Sequence, residues 1–199
     1  MKKTNPLLQR LHGSSVVVAG ALDAQTIIED PSTAPAVKGV LSIADPPGYA
    51  QHIRPKLPDA PTHVRLDFLD RINPGYGGPE REHVERILAW GRQFPEFFTG
   101  KQRIGYGGPL NDCGPKSLVL IHCFAGISRS TASAYVCFAQ ALGPGREKEA
   151  AEMLVRSSLE TALYDLPLAP NELIVEHAET ILNRDKGSLQ RAIARIVKE

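Results

Sequence analysis

The chain of 199 residues has few cysteines, few aromatic residues and no long apolar run. Its three cysteines are an odd number at unrelated spacings, which argues against a disulfide framework and gives no zinc-ligand pattern. No apolar run is long enough to span a bilayer. Lysine and arginine together number 23 against 22 acidic residues, so the net charge of +1 offers neither a nucleic-acid face nor a polybasic membrane patch. We therefore expect a cytoplasmic protein without nucleic-acid or membrane partners.

The length suits one domain with a sizeable core, and no second hydrophobic module is evident. We expect a single domain over residues 1–199, with residues 1–13 as a loosely held polar arm. Residues 1–3 and 16–24 superficially resemble a signal peptide. Arg10 and His12 interrupt that pattern and its apolar run is short, so the sequence favours a first strand over residues 15–19 instead.

The most informative stretch is residues 122–130, His-Cys-Phe-Ala-Gly-Ile-Ser-Arg-Ser. It follows a short apolar run, residues 118–121, that is typical of a central strand buried on both faces. It opens a helical pattern that Gly143 ends. A loop that meets a helix N-terminus offers unpaired backbone N–H groups and the positive end of the helix dipole. The sequence therefore predicts a phosphate-binding loop here.

Two side chains, Cys123 and Arg129, give this loop its chemistry. The helix terminus and the guanidinium should favour the thiolate of Cys123, which is then a nucleophile. Arg129 can hold two phosphoryl oxygens while charge redistributes in the transition state. Ser130 places a hydroxyl where it could bond the thiolate and help it leave, and Gly126 permits backbone conformations that a Cβ would resist. His122 is expected either to orient the loop by hydrogen bonding or simply to pack.

The pattern His122-Cys123-x5-Arg129-Ser130 resembles the signature of the cysteine-dependent protein tyrosine phosphatases. Within it, residues 125–130 are similar to the dual-specificity branch, and residues 170–175 also resemble a bacterial group of predicted tyrosine phosphatases. The resemblance covers roughly residues 37–185 and implies the fold of that superfamily. This is an α/β fold with a central, largely parallel sheet flanked by helices, and the order of predicted strands and helices implies the same class.

The resemblance also implies a general acid, an aspartate on the loop after the strand that neighbours the catalytic strand. Residues 63–68 alternate in polarity as that strand should. Asp70 follows its end and is the favoured acid, while Asp67, within the strand pattern, is the alternative. The acid would protonate the leaving oxygen, and its carboxylate would then activate water.

The activity that the resemblance implies is phosphomonoester hydrolysis through a phosphocysteine on Cys123, by a protein tyrosine or dual-specificity phosphatase. Residues that would bind the phosphoryl group through the loop are Phe124, Ala125, Gly126, Ile127, Ser128 and Arg129. No metal or other cofactor is required, because Arg129 and the helix dipole supply the positive field. The substrate would be a phosphorylated protein or a small phosphomonoester. The uncharged loop residues favour phosphotyrosine over a polyanionic inositol lipid.

Two other functions fit parts of the pattern. A non-catalytic module would bind phosphopeptides without turnover, although Cys123, Arg129 and Asp70 argue against it. A thiol redox or arsenate-reducing enzyme needs a resolving cysteine, for which Cys113 is the candidate. The repeated Gly-Tyr-Gly-Gly-Pro at residues 75–79 and 105–109 could place a tyrosine at the mouth of the site, and the simpler interpretation is two glycine-rich surface loops.

Overall fold

The computed structural model describes residues 16–49, 62–99, 117–159 and 165–196. Four strands lie within these ranges: β1 Val16–Ala19, β2 Val37–Ala44, β3 His63–Asp67 and β4 Leu118–His122. The same ranges contain seven α-helices: α1 Ala21–Glu29, α2 Arg81–Gly91, α3 Pro95–Phe98, α4 Arg129–Leu142, α5 Glu147–Ser157, α6 Glu172–Ile181 and α7 Ser188–Ile196. None of the described helices is long and apolar enough to cross a membrane.

The four strands form one sheet in the order β1-β4-β2-β3, and every neighbouring pair is parallel. This confirms the predicted α/β class with a parallel sheet. All four strands therefore end at the same edge of the sheet, where open α/β proteins place their sites. β4 is buried along its whole length, as its apolar sequence predicts for an inner strand covered on both faces.

Helices pack on both faces of the sheet and bury its apolar side chains. On one face, Leu41 and Ile121 join the core formed with α2 and α4, which contribute Trp90 and Phe138. On the other face, strand residues including Leu120 pack against α1. Because α4 is buried on almost every side, the helix that leaves the motif is fixed in direction by the core.

Most predicted elements lie where the sequence indicates them. The sequence predicts a strand over residues 37–44 and a helix over residues 147–157, and β2 and α5 have these bounds. β4 extends the predicted run, residues 118–121, by His122. The helix α1 was not predicted, because its residues continue the apolar stretch of β1 and only Gly20 separates the two. Several expectations lie outside the described residues: the arm at residues 1–13, the tyrosine of the second glycine-rich loop, Tyr106, and the resolving cysteine, Cys113.

The caps of the last two helices differ in origin. The sequence predicts Asn171 as the N-cap of a helix through residue 182, and its side chain accepts a hydrogen bond from Ile174 N as that role requires. The sequence likewise predicts Ser188 as the N-cap of a helix over residues 189–197, but Ser188 is the first residue of α7. The carboxylate of Glu179, a buried residue of α6, accepts three backbone N–H groups at the start of α7 instead, at 2.7, 2.7 and 3.2 Å.

Candidate active site

The loop that carries the motif joins β4 to α4 at the carboxyl edge of the sheet. Two of its carbonyl groups are bound by neighbouring segments: Ala21 N donates to the Phe124 carbonyl (3.0 Å), and Ala169 N donates to the Ile127 carbonyl (3.1 Å). Gly126 has φ +76°, a left-handed conformation that glycine adopts without strain. Carbonyls held from outside favour a loop whose amides point inward, which is the arrangement that an anion requires.

Cys123 directly follows β4 and is almost fully buried. Its sulfur lies 3.1 Å from the hydroxyl oxygen of Ser130, which is buried in the first turn of α4. At that distance the hydroxyl can donate a hydrogen bond to a thiolate. The structure thus brings together the two side chains that the motif assigns to nucleophile and thiolate support.

Arg129 is buried and is held by groups that follow two other strands. Its Nη1 donates to Oδ1 of Asp45 (2.6 Å) and to the carbonyl of Phe68 (2.7 Å). The Arg129 and Asp45 side chains are only 5 % and 13 % exposed, so solvent screens their ion pair weakly. Arg129 Nε has no hydrogen-bond partner within the described part of the chain. The guanidinium is therefore oriented while part of its donor capacity is unused.

Asp45 is a site residue that sequence reasoning missed. It begins an Asp-Pro-Pro-Gly stretch, and such residues are typical of a turn that ends a strand. The available signal was its position, because a residue directly after a strand next to the motif strand reaches the same edge of a parallel sheet.

Asp70 is bound to the motif loop by one hydrogen bond and to Asn171 by another. Its Oδ1 accepts from Ser128 Oγ at 2.8 Å and from Asn171 Nδ2 at 2.8 Å. The Asn171 amide also donates to the Arg71 carbonyl at 2.9 Å, which ties down the segment that carries Asp70. Asp67, the alternative acid, is the last residue of β3. The bond from Ser128 therefore holds the Asp70 carboxylate beside the loop, while Asp67 remains within the sheet.

Asn171 has a second role that the sequence did not reveal. Its Oδ1 caps α6, while its Nδ2 binds Asp70, which lies 101 positions earlier in the chain. A capping asparagine is an ordinary sequence feature. Nothing local in the sequence indicates that the other end of this side chain reaches the candidate acid.

His122 is buried, and neither of its ring nitrogens has a hydrogen-bond partner among the described groups. Burial lowers the pKa of His122 to about 4, so the ring is neutral at pH 7. The register partner of His122 on β2 is Ser42, whose buried hydroxyl is likewise unbonded within the described ranges.

Other candidate chemistry is sparse in the described ranges. They contain no cluster of three or more His, Cys, Asp or Glu residues that could hold a metal ion. Cys137 lies inside α4, where burial raises the pKa of its thiol, so it has the character of an inert core cysteine.

A parallel sheet flanked by helices, with the Cys-x5-Arg loop between an inner strand and a buried helix, defines a protein tyrosine phosphatase-like fold. Comparison with solved structures agrees with this class. The crystal structure of DUSP15 matches with a TM-score of 0.51 at 17% identity, over 94% of this chain and 92% of that chain. Human DUSP28 matches with a TM-score of 0.46 at 14% identity, over 86% of this chain and 93% of that chain.

At 17% identity the likeness to DUSP15 shows the fold alone, and the predicted fold is confirmed at that level. Comparison with protein-family models and with curated proteins finds no match to the sequence. A particular activity is therefore inferred from the residues of the loop and their partners.

Proposed function

We propose that the protein hydrolyses phosphomonoesters as a protein tyrosine or dual-specificity phosphatase that acts through a phosphocysteine. The observation that supports this most is the convergence of three groups around one loop at the carboxyl edge of the sheet. Cys123 contacts Ser130, Arg129 is held by Asp45, and Asp70 is bound to the loop through Ser128. The groups that we propose as nucleophile, oxyanion-binding group and acid all belong to this loop or bond to it, which supports two-step phosphoryl transfer.

In the first step, the Cys123 sulfur attacks phosphorus, and the bond from phosphorus to the leaving oxygen breaks. The remaining phosphoryl oxygens bind Arg129 and the backbone amides of residues 124–129. Asp70 protonates the leaving oxygen. Because Ser128 and Asn171 both donate to Oδ1 of Asp70, we assign the transferred proton to Oδ2.

In the second step, the Asp70 carboxylate accepts a proton from water, which attacks the phosphocysteine. The bond from phosphorus to sulfur breaks, inorganic phosphate forms and Cys123 leaves as a thiolate. The Ser130 hydroxyl, 3.1 Å from the sulfur, donates to that thiolate and lowers the barrier to its departure. Arg129 and the N-terminus of α4 supply the positive field throughout, so the mechanism uses no metal.

The test is phosphate release from p-nitrophenyl phosphate and from a phosphotyrosine peptide in the presence of EDTA. We expect Cys123→Ser to abolish release. Asp70→Asn should lower kcat by about 10²–10⁴-fold, the usual contribution of a general acid, with a far smaller loss for the matched variant Asp67→Asn. All variants are first checked for native folding by circular dichroism.

Two results would change the assignment. A larger loss for Asp67→Asn than for Asp70→Asn would move the acid to Asp67. A folded wild-type protein that binds vanadate or the phosphopeptide but releases no phosphate would replace catalysis by the non-catalytic binding function.

A further inference from the structure

Large apolar side chains that are exposed to solvent lie on the motif loop and on the segments that carry its hydrogen-bond partners. Within the described residues they are Leu22, Tyr49, Ile72, Tyr76, Phe124 and Leu166. We call these six residues the apolar collar. Exposed apolar side chains that are scattered singly need no explanation, but a group gathered at one edge of a sheet marks an interaction surface.

Hydrogen bonds tie two collar segments directly to the motif loop. Leu22 follows the residue whose N–H binds the Phe124 carbonyl, at 3.0 Å. Leu166 lies three residues before Ala169, which binds the loop through its own N–H at 3.1 Å. Phe124 itself directly follows Cys123 and is 47 % exposed. Phe124 therefore belongs to the loop, and Leu22 and Leu166 belong to the two segments that bind it.

Two more collar residues lie close in sequence to the partners of the loop. Tyr49 is in the turn that begins at Asp45, the ion-pair partner of Arg129, and its N–H donates to the Pro46 carbonyl at 3.2 Å. Ile72 is two residues after Asp70, which Ser128 binds, and is 64 % exposed.

Tyr76 is held outward by an uncommon backbone turn. It is 92 % exposed and has φ +53°, between Gly75 (φ +86°) and Gly77 (φ +76°). A left-handed conformation is disfavoured for an aromatic residue, so the turn holds this ring in solvent against its backbone preference. Leu69 N donates to the Gly77 carbonyl at 2.7 Å, which fixes the turn beside the segment that carries Asp70.

The charges around the apolar collar indicate what it would bind. Its segments, residues 20–23, 45–49, 68–79, 123–129 and 165–170, contain the acidic residues Asp23, Asp45, Asp70 and Asp165 and the basic residues Arg71 and Arg129. Asp45 is paired with Arg129, so the acidic residues still outnumber the basic ones around the loop. Such a surface repels a polyanionic substrate or one with acidic neighbours. Its apolar area would be removed from water by an apolar partner.

We propose that the apolar collar selects phosphotyrosine that lies between apolar residues of a peptide. This rests on the proposed phosphatase function and names its substrate class. Phe124 and Tyr76 offer rings to the aryl group and its neighbours, since aromatic pairs gain from offset or edge contacts beyond their buried area. Leu22, Ile72 and Leu166 take up the flanking apolar side chains.

The test uses two phosphotyrosine peptides of equal length, one with apolar and one with acidic neighbours on both sides, together with p-nitrophenyl phosphate. We expect kcat/KM to be about tenfold higher for the apolar peptide, which corresponds to about 1.4 kcal/mol. The triple variant Ile72→Ser, Tyr76→Ala, Leu166→Ser should reduce this preference to less than about threefold. The control Lys148→Ser alters an exposed residue in the first turn of α5, after the far end of α4, and should keep the preference.

Equal kcat/KM for the two peptides, or a triple variant that keeps the preference, would overturn the collar proposal. The phosphatase proposal would still stand if p-nitrophenyl phosphate hydrolysis depends on Cys123. A second measurement separates the two failures: the dissociation constants of both labelled peptides from the Cys123→Ser variant, by fluorescence anisotropy. A protein that releases no phosphate but binds the apolar peptide more tightly would retain the collar, and equal binding would remove it.

Discussion

The ion pair between Arg129 and Asp45 should contribute more to stability than any surface pair of the described residues. Both side chains are largely buried, and the Nη1 to Oδ1 distance is 2.6 Å. Removing one partner of a buried pair leaves an uncompensated charge and costs about 3–5 kcal/mol. The Phe68 carbonyl, 2.7 Å from Nη1, still accepts a hydrogen bond, so we expect Asp45→Ala to cost about 3 kcal/mol. Asp45→Asn, which keeps an acceptor without the charge, should cost about 1–2 kcal/mol.

The assay is urea unfolding at pH 7, followed by the fluorescence of Trp90, the single tryptophan of the chain and a buried residue. The matched control is Glu85→Ala, which removes the partner of Arg81 in an ion pair whose side chains are 53% and 47% exposed. Solvent screens that pair, so its loss should cost less than about 0.5 kcal/mol. If Asp45→Ala cost no more than Glu85→Ala, the reasoning from burial would be refuted.

Three further predictions concern stability. Glu179→Ala leaves three backbone N–H groups at the start of α7 without their carboxylate. Urea unfolding should show that the free energy of unfolding falls by about 2–4 kcal/mol, and a fall below about 1 kcal/mol would contradict the capping role of Glu179. The pKa of His122 is lowered in the folded protein to about 4 from its usual 6.5, so the unfolded chain binds the extra proton and stability should fall as pH falls from about 6.5 to 4. The free energy of unfolding should fall by about 3 kcal/mol over this range, and the His122→Asn variant should lack this fall. If the variant showed the same dependence of unfolding free energy on pH, the fall would belong to other titrating groups. Gly91→Ala puts a Cβ 2.7 Å from the Cys137 sulfur in the core and should cost about 1–3 kcal/mol, with partial recovery in the double variant with Cys137→Ala as the check.

The parts of the fold that the sequence predicted are those with local signals. β2 ends at a run of turn residues, and α5 begins after Gly143 to Gly145, so both have the predicted bounds. α6 begins directly after Asn171, a favoured N-cap residue. α1 was missed because Gly20 is the only interruption between it and β1, and one glycine within an apolar stretch does not separate a strand from a helix.

The partners of the site residues could not be predicted in the same way. Asp45 and Arg129 are 84 positions apart, and Asp70 and Asn171 are 101 positions apart. Such contacts depend on the strand order β1-β4-β2-β3, which places β2 and β3 on one side of the motif strand. That strand order is set by packing of the whole core, so no short sequence pattern predicts it.

The strand order also gives a physical reason to prefer Asp70 to Asp67 as the acid. Asp67 is still paired in register with Ala44 of β2, so its backbone is fixed within the sheet. Asp70 lies three residues beyond that strand, where the chain turns toward the motif loop and its carboxylate accepts bonds from Ser128 and Asn171. The leaving oxygen lies on the side of the phosphoryl group that faces away from the loop. An acid that protonates it therefore has to lie above the loop and not within the sheet.

The Asn171→Ala variant should therefore lower kcat for p-nitrophenyl phosphate by at least about tenfold, since it displaces the acid. It should leave the Cys123-dependent vanadate affinity within about threefold, since it does not displace the loop. Equal losses in kcat and in vanadate affinity would show that Asn171 supports the loop itself.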